Sequence, residues 1–413
     1  MYTCNKSRLE ATLNEFSSFG KTPNNGVTRL CFSQEDVQAR NYFRKCCEEL
    51  GLDVLWDDMG NMYAKLEGKK DIPPIVIGSH LDSVEKGGRF DGVLGVLTGL
   101  EVVKTLIDHK EELEAPIVIM NFTNEEGARF DPAMMSSGVL ANKFDKEKML
   151  HSKDKNGVMF KDALDASGYV GDESNRLKKA LAYLELHIEQ GPVLESEQLE
   201  IGVVEGVLGM VCYEITIEGE SNHAGTTPMK LRKDPFFLAT DLITEMRKQL
   251  SDIDDQLVFT MGRVNVTPNI HTVIPNKVVF TLEARHQDPG KIKEVEEVIF
   301  GLPEEENGCR VSFEKLWSRD TVEFDESICA HVQNACEEYS YSYKRMYSGA
   351  GHDAQFMASY IPSAMIFVPS VNGKSHCEEE LTSFEDCAKG ANVLLRTVLA
   401  LQQKISKQEL KTL

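Results

Sequence analysis

The stretch IVIGSHLDSVEKGGRFDGVLG, residues 75–95, joins an apolar segment to a second apolar segment through a polar, glycine-rich turn. Residues 75–78 predict a buried strand, and the apolar residues at helical spacing over 93–106 predict a helix. A further apolar run at 116–122 predicts the next strand. Strands that alternate with helices in this way are typical of an α/β layer with a mostly parallel sheet flanked by helices.

The middle of the chain predicts a different arrangement. Its elements follow the order β-α-β-β-α-β, which is the ferredoxin-like pattern, and are predicted at residues 211–218, 235–250, 258–266, 278–284, 292–300 and 310–313. The α/β pattern then returns, with a helix at 327–339, a strand at 364–369 and a closing helix at 383–402. We therefore expect a catalytic domain made of residues 1–210 and 326–413, interrupted by an inserted α+β domain at residues 211–325.

Composition excludes several classes of protein. With 41% hydrophobic residues among 413, the chain can form a large core, so dominant disorder is not expected. The formal net charge of -21 argues against a nucleic-acid partner, because phosphate-binding surfaces need clustered Lys and Arg. No apolar run reaches the length of a signal peptide or a membrane span, so we expect a cytoplasmic protein without a membrane partner. The ten cysteines form no CxxC pair, which favours reduced thiols and disfavours a thiolate-bound zinc site.

The quoted stretch carries the first candidate site residues. His80 and Asp82 are two residues apart, so on an extended chain their side chains point the same way. This spacing predicts that the Asp82 carboxylate accepts the second ring proton of His80, as the outer partners of metal-binding histidines do. Asp91 follows a glycine-rich turn and is then free to bind a metal itself. Taken alone, this cluster is as consistent with a structural His-Asp pair as with a metal site.

Three more polar clusters follow predicted strands. They contain the adjacent carboxylates Glu125 and Glu126, then His187 with Gln190, and finally His376. Each of these residues alone is more often structural or solvent-exposed than a ligand. Together they supply three histidines, one aspartate and a glutamate pair at strand ends, where open α/β sheets place their sites. Such a set suits two borderline-to-hard divalent cations.

The other histidines have no comparable context, and we expect solvated or core roles for those at positions 109, 151, 271, 286 and 331. His352 and Asp353 stand in the glycine-rich segment SGAGHDAQ. A glycine-rich loop can approach a ligand closely, yet its side chains can also only brace the loop. We favour the bracing role for these two residues.

Seven motifs resemble one family. They are GSHLDSV, GGRFDGVLGVL, NEEGARF, LHIEQGPVLE, SNHAGTTPM, SGAGHDA and FVPSVNGKSH, and they occur in register over essentially the whole chain. They resemble the amidase/hydantoinase/carbamoylase branch of the zinc aminoacylase and carboxypeptidase superfamily. Members of this branch include N-carbamoyl-L-amino acid hydrolases, β-ureidopropionases and allantoate amidohydrolases.

The resemblance implies two divalent metal ions per chain, of zinc, manganese or cobalt. It implies that His80, Asp91 and His187 hold one ion. It further implies that Asp91, as the bridge, holds the other together with Glu126 and His376.

The resemblance also implies roles for residues around the metals. Glu125 is the general base, Asp82 supports His80, and His223 donates to the developing oxyanion. Arg285 binds a substrate carboxylate, while further polar contacts come from Gln190 and the loop around Gly351. The implied assembly is a homodimer that pairs through the inserted domains, with His223 and Arg285 serving the partner's site.

The activity implied is hydrolysis of a carbon-nitrogen bond in a small N-carbamoyl (ureido) amino acid, which releases ammonia, carbon dioxide and the amino acid. Allantoate hydrolysis by the same mechanism is the closest alternative. An aminoacylase or dipeptidase is less favoured, because HIEQGPVLE resembles the carbamoylase branch. A non-catalytic binder of ureido compounds is a further alternative, against which Glu125 argues because a binder needs no base.

One position departs from the family. Where the branch commonly has Asn, the segment VTPNIHTVIPN has Thr272, thirteen residues before Arg285. A threonine hydroxyl cannot reproduce the two donors and the carbonyl of an amide. We therefore expect Thr272 to line a substrate pocket with extra room. The alternative is a local shift in register, in which Asn269 or Asn276 supplies the amide.

Overall fold

The computed structural model describes residues 2–409, which fold into two compact units. One unit contains the chain up to Gly206 and again from Glu323 onward, and the other contains Val207–Val322. The second unit overlaps the predicted insertion at 211–325. Both units have sheets flanked by helices, as the α/β expectation requires.

The strands in chain order are β1 (Asp53–Trp56), β2 (Met62–Leu66), β3 (Ile75–His80), β4 (Ile117–Phe122), β5 (Ala182–Ile188), β6 (Ile201–Val207), β7 (Gly209–Glu218), β8 (Val258–Thr260), β9 (Val264–Thr267), β10 (Lys277–His286), β11 (Glu305–Glu306), β12 (Cys309–Arg319), β13 (Val322–Glu323), β14 (Tyr343–Ser348) and β15 (Ser363–Val368).

The α-helices are α1 (Lys6–Phe16), α2 (Gln34–Glu49), α3 (Val93–Asp108), α4 (Met135–Leu140), α5 (Lys146–Leu150), α6 (Phe160–Ser167), α7 (Val193–Ser196), α8 (Pro235–Ser251), α9 (Pro289–Phe300), α10 (Glu326–Tyr339), α11 (Asp353–Met357) and α12 (Phe384–Glu409). Short 3₁₀ helices lie at Glu173–Asn175, Met229–Leu231 and Val371–Gly373.

The first unit is built on a nine-stranded sheet with the order β1-β2-β4-β3-β5-β15-β6-β13, and β14 pairs with β6. Its four central strands, β4, β3, β5 and β15, are mutually parallel. The predicted parallel character holds for this centre, whereas β1, β2 and β6 pair antiparallel at the two sides. Every residue of the four central strands is buried, which is the burial expected when helices cover both faces.

The second unit contains an antiparallel sheet with the order β11-β12-β7-β10-β8, and β9 also pairs with β10. Helices α8 and α9 cover one face. Alternate residues of β7, such as Tyr213 and Ile215, point into the core beneath these helices, because successive side chains of a strand face opposite ways. The single strand predicted at 258–266 is instead two short strands, β8 and β9, which pair with different parts of β10.

No helix among residues 2–409 is long and apolar enough to cross a membrane. All ten cysteines are free thiols, and eight of them are buried.

Candidate metal centre

The predicted ligands collect at one edge of the parallel centre of the sheet. His80 is the last residue of β3, and His187 is the penultimate residue of β5. Glu126 follows the end of β4, and His376 lies in the loop after β15. Because these strands are parallel neighbours, their carboxyl ends meet at the same edge. Asp91 reaches this edge from the turn that precedes α3.

Asp91 lies at the middle of the cluster. Its Oδ1 is 3.2 Å from His187 Nε2 and 3.5 Å from His80 Nε2. Its Oδ2 is 3.4 Å from His376 Nε2, which in turn is 3.3 Å from Glu126 Oε2. One carboxylate therefore presents a separate oxygen to each of two ligand groups, the arrangement that a bridging ligand needs.

The backbone fixes the orientation of two of the imidazoles. His80 Nδ1 lies 2.9 Å from the backbone oxygen of Asp82, and His187 Nδ1 lies 2.9 Å from the backbone oxygen of Ile188. A carbonyl oxygen can only accept, so each Nδ1 carries the proton and each neutral ring keeps a lone pair on Nε2. Both Nε2 atoms face Asp91. The rings are thus oriented for metal binding before any ion arrives.

The turn that carries Asp91 fits only glycine at position 92. Gly92 has φ +65°, and a Cβ there would lie 2.3 Å from atoms of the His80 ring. Glycine therefore allows both the backbone conformation and the close approach of the imidazole.

The role predicted for the Asp82 carboxylate is wrong. Its Oδ1 is 3.9 Å from His80 Nδ1, whose hydrogen bond goes instead to the Asp82 backbone oxygen. The carboxylate accepts from the backbone N–H groups of Glu125 and Glu126, at 3.2 and 3.3 Å. Asp82 therefore holds the backbone of the glutamate pair, because that backbone comes closer to the carboxylate than the imidazole does.

Glu125 Oε2 is 3.5 Å from His80 Nε2. A cavity of about 170 Å³ opens above this group, and the residues that line it include all five predicted ligands, Glu125, Gln190, Gly351 and His352. Gln190 donates from Nε2 to Asp91 Oδ2 at 2.6 Å and has the left-handed φ of +56°. The cavity is large enough for water and a small polar group beside the cluster.

Burial and crowded charges shift the pKa values of the carboxyl groups. Burial, reinforced by the carboxylates of Asp353 and Glu126, raises the pKa of Glu125 well above its usual range. Burial and the neighbouring Asp91 raise the pKa of Glu126 to about 8. Burial also disfavours the charge of Asp91, but His187 and the other two histidines outweigh it and hold its pKa well below the usual value.

The pKa values of all three histidines in the cluster are raised. Burial opposes the charge of His187, but the nearby Asp91 carboxylate outweighs it and raises its pKa. The hydrogen bond to Asp91 is the main reason that the pKa of His376 rises to about 9. Burial opposes the charge of His80, but the carboxylates of Glu125 and Asp91 raise its pKa well above the usual value. Concentrated negative charge therefore stabilises positive charge at this site.

The donor set fits divalent cations. Two groups, His80 with Asp91 and His187, and Asp91 with Glu126 and His376, each place their ligand atoms within 4.8 Å of one another. Within the described residues, Glu126 Oε1 is buried without a hydrogen-bond partner. The two carboxylates and three imidazoles of these groups match the ligands of borderline-to-hard ions, which would also offset the cost of crowding like charges.

Sequence reasoning missed two residues beneath this cluster. Glu380 and Ser375 form hydrogen bonds to the turn that carries Asp91 and to Asp91 itself. Glu380 ends the run of residues 378–380, which are all glutamates and resemble a solvated charged segment. The one available signal was its position four residues after His376.

His352 and Asp353 have the bracing contacts that the sequence suggested, and His352 lines the cavity as well. His352 Nε2 lies 2.8 Å from Ser348 Oγ, and its ring meets that of His187 edge-on at 4.6 Å. Asp353 Oδ1 accepts a 2.5 Å hydrogen bond from Ser137 Oγ.

His223, Arg285 and Thr272 belong to the second unit. His223 is exposed, and its Nδ1 accepts from the backbone N–H groups of Gly225 and Thr226 at 3.0 and 3.2 Å. Since Nδ1 is an acceptor, the ring proton of the neutral form lies on Nε2. The loop therefore presents His223 as an N–H donor.

Thr272 lies beside His223, and Arg285 does not. The backbone oxygen of Thr272 accepts from Ala224 N at 3.0 Å, and His223 pairs with Val273. Arg285, which forms hydrogen bonds to Glu283, is near the other end of β10. Eight residue steps of extended strand, about 26 Å, separate Lys277 from Arg285. Thr272 and Arg285 of one copy thus cannot contact the same small substrate, and the expectation that they act side by side requires two copies of the chain.

Comparison with known proteins identifies the family. The sequence model of peptidase family M20/M25/M40 matches residues 76–400. An N-carbamoyl-L-amino-acid amidohydrolase of Rhizobium meliloti is 40% identical over 96% of each chain. The allantoate amidohydrolase of Escherichia coli K12 is 34% identical over 95% of this chain and 97% of its own. A crystal structure of an amidase of the hydantoinase/carbamoylase family from Burkholderia multivorans superposes with a TM-score of 0.93, at 39% identity over 97% of this chain and 98% of its own.

These matches extend over nearly the whole chain, and the M20 family is metal-dependent, in agreement with the ligand groups at the sheet edge. The chain therefore belongs to peptidase family M20/M25/M40 and, within it, to the hydantoinase/carbamoylase amidases, which makes it a hydrolase of carbon-nitrogen bonds.

Proposed function

We propose that this protein is a cytoplasmic enzyme that hydrolyses the carbamoyl group of a small N-carbamoyl amino acid, with two divalent ions of zinc, manganese or cobalt per chain. The observation that carries the proposal is Asp91, whose two carboxylate oxygens face separate ligand groups at 3.2 to 3.5 Å. In this proposal His80 and His187 complete one ion site, while Glu126 and His376 complete the other. Asp91 would be shared by the two sites.

Divalent ions at such a site lower the pKa of water and polarise a carbonyl oxygen. Glu125 then takes a proton from the attacking water, whose oxygen bonds to the ureido carbon. Glu125, which then holds this proton, can return it to the departing nitrogen. One carbon-nitrogen bond of the ureido group breaks and leaves a carbamic acid, which then loses carbon dioxide as its own carbon-nitrogen bond breaks. The products are ammonia, carbon dioxide and the amino acid.

Residues of the second unit bind the rest of the substrate. His223 donates its Nε2–H to the oxygen on which negative charge develops, and its two backbone contacts support this donor form. Arg285 binds the substrate carboxylate. Gln190 and the Gly351 loop, which both line the cavity, add polar contacts. Thr272, whose backbone oxygen accepts from the N–H of Ala224 next to His223, contacts the same end of the substrate as His223.

We further propose that the working form is a homodimer paired through residues 211–325. His223 and Arg285 are near opposite ends of β10, so one copy of the unit cannot bring both to a substrate a few ångströms long. One of the two therefore acts in the site of its own chain and the other in the site of the partner. Exposed apolar side chains on this unit, among them Leu231 (66% exposed) and Phe237 (51%), support its use as an interface.

The substrate class follows from the relatives together with Arg285. The relative from Rhizobium meliloti is named for N-carbamoyl-L-amino acids, and the relative from Escherichia coli is named for allantoate. Both compounds carry ureido nitrogen and a carboxylate. N-carbamoyl amino acids are the first choice because identity to the former relative is higher, 40% against 34%. Allantoate is the second candidate.

The test is ammonia release from N-carbamoyl-α-amino acids, N-carbamoyl-β-alanine and allantoate, each assayed with Zn²⁺, Mn²⁺ and Co²⁺. We expect the highest kcat/KM with an N-carbamoyl-α-amino acid, and the matching carboxamide should react poorly because it offers Arg285 no charge. Preference for allantoate would select the second candidate. Release of amino acids from acyl or dipeptide substrates alone would indicate an aminoacylase or dipeptidase. No reaction with any combination of substrate and metal ion would favour a non-catalytic binder.

A further inference from the structure

The carboxylate of Glu380 lies outside the cavity and connects the turn that carries Asp91 with the loop that carries His376. Glu380 is only 4% exposed and is not among the residues that line the cavity, so it is not placed to touch the substrate. Its Oε1 accepts from the backbone N–H groups of Phe90 and Asp91, at 3.0 and 3.1 Å. Two amides of the Asp91 turn are therefore held by a single oxygen that comes from the loop after β15.

The other oxygen of Glu380 contacts the loop of His376. Glu380 Oε2 lies 3.0 Å from Ser375 Oγ, and Ser375 Oγ lies 2.9 Å from Asp91 Oδ2. Asp91 Oδ2 is also the oxygen that faces His376, the residue after Ser375. Backbone and side chain of Asp91 are thus both tied to the segment that carries His376.

The turn is shaped to receive this carboxylate. A Cβ built on Gly88 would lie 1.9 Å from both Cδ and Oε1 of Glu380. No side chain fits there while Glu380 keeps its position, so Gly88 is the complement of the buried carboxylate. Gly88 does not have a positive φ, so its backbone conformation is open to alanine and the restriction is one of space alone.

We infer that Glu380 is a positioning residue that locks the Asp91 turn to the His376 loop and so sets the distance between the two ion sites. The inference rests on the metal-bridging role proposed for Asp91. Residues that orient metal ligands from behind typically contribute about 10- to 100-fold to metal affinity. The contribution of Glu380 comes from its hydrogen bonds, since both of its oxygens are used in contacts with these two loops.

The first test compares Glu380→Ala with Glu380→Gln in the full-length chain, by titration of the metal-free protein with Mn²⁺ or Zn²⁺. Glu380→Ala should weaken binding of the ions about 10- to 100-fold. Glu380→Gln should remain within a few-fold of wild type, because its amide oxygen can accept from both backbone groups and its NH₂ can donate to Ser375. Wild-type affinity in Glu380→Ala, or equal weakening in both variants, would overturn the inference.

Glu101 provides matched controls. It is 2% exposed and accepts from a backbone N–H, that of Asn5, and from the Thr105 hydroxyl, but its hydrogen bonds do not involve any predicted ligand. Glu101→Ala should lower the melting temperature without changing metal affinity. If Glu101→Ala weakened metal binding as much as Glu380→Ala, general destabilisation would explain both effects and the inference would fail.

A second test uses the close approach of Gly88 and needs no measurement of activity. Gly88→Ala should weaken metal binding in the wild-type background, because the added Cβ displaces Glu380. In the Glu380→Ala background the same change should have little effect, because the obstructing carboxylate is gone. Equal effects in the two backgrounds would contradict the proposed fit. If the wild-type protein itself bound no divalent ion, the proposed function would fail, which is distinct from failure of the Glu380 variants alone.

Discussion

The two units present their predicted functional residues in opposite ways. In the first unit, parallel strands end at one edge of the sheet, so residues far apart in sequence, such as His80 and His376, approach the same carboxylate. In the second unit, the antiparallel strand β10 separates the His223 end from Arg285 by about 26 Å. The first unit therefore assembles a cluster within one chain, whereas the second holds its two predicted substrate contacts too far apart for one copy to bring both to a small substrate.

The environments differ as well. Asp91 and His187 are buried, and backbone groups fix the ring orientations of His80 and His187. His223 is exposed and contacts mainly its own loop. Metal binding needs several ligands fixed within tenths of an ångström. A single hydrogen-bond donor needs only the correct tautomer and a position close to the substrate oxygen.

The largest effect is expected from Asp91→Ala. The substitution removes both carboxylate oxygens, one of which faces each ligand group, so both ions should be lost and turnover should fall to background. Elemental analysis of the purified variant measures the ions, and a chelator should inactivate the wild-type protein. A variant that retained two ions would show that Asp91 is not the bridge, and Glu101→Ala controls for loss of a buried carboxylate.

Glu125→Gln should leave fold and metal content unchanged and lower kcat by about 10²- to 10⁴-fold, the usual contribution of a general acid-base group. The amide has nearly the shape of the carboxylate but cannot take a proton. Steady-state kinetics, with metal content and circular dichroism as controls, provide the measurement. Near-native kcat would remove Glu125 from the mechanism.

Removing His223 with alanine should lower kcat about 10²- to 10³-fold, as the loss of one oxyanion donor does.

Hybrid dimers then show whether His223 acts in the site of its own chain or in the site of the partner. When Glu125→Gln chains exchange with His223→Ala chains or, separately, with Arg285→Ala chains, one mixture should recover about a quarter of wild-type activity, since half of the dimers are hybrids with one intact site.

The other mixture should recover nothing. Recovery in both would mean that His223 and Arg285 both act in the partner's site, which the sequence suggested and which the separation along β10 opposes. Recovery in neither, with subunit exchange verified by mass spectrometry, would mean that both act within their own chain.

The smallest effect is expected from Thr272→Asn. Because Thr272 lies beside His223, an amide there should gain one hydrogen bond to substrate and shift relative kcat/KM among N-carbamoyl amino acids by about 1 kcal/mol. Competition between two substrates measures the shift. An unchanged profile, together with a changed profile in Asn269→Ala or Asn276→Ala, would assign the contact to the neighbouring asparagine.

Apolar runs and the residues at their ends were enough to predict the α/β fold and the polar clusters at the strand ends. The resemblance to the family was needed to assign the five candidate ligands. The hydrogen-bond partners of these residues were harder to predict from the sequence. The spacing of His80 and Asp82 predicted correctly that the two lie together, yet the carboxylate contacts the Glu125 backbone because a hydrogen bond depends on distances that spacing does not define. Glu380 stood in a run of charges and was overlooked, since only the folded chain shows which of three glutamates is buried.

By itself, the sequence determined which strands are buried, where they end and which candidate metal ligands follow them, because those properties depend on local apolar pattern and residue chemistry. Only the tertiary structure decided that Asp91 faces two ligand groups, that Asp82 supports the glutamate backbone, and that His223 and Arg285 lie near opposite ends of β10. These features depend on strand order and direction, which bring distant segments within hydrogen-bonding range or hold them apart.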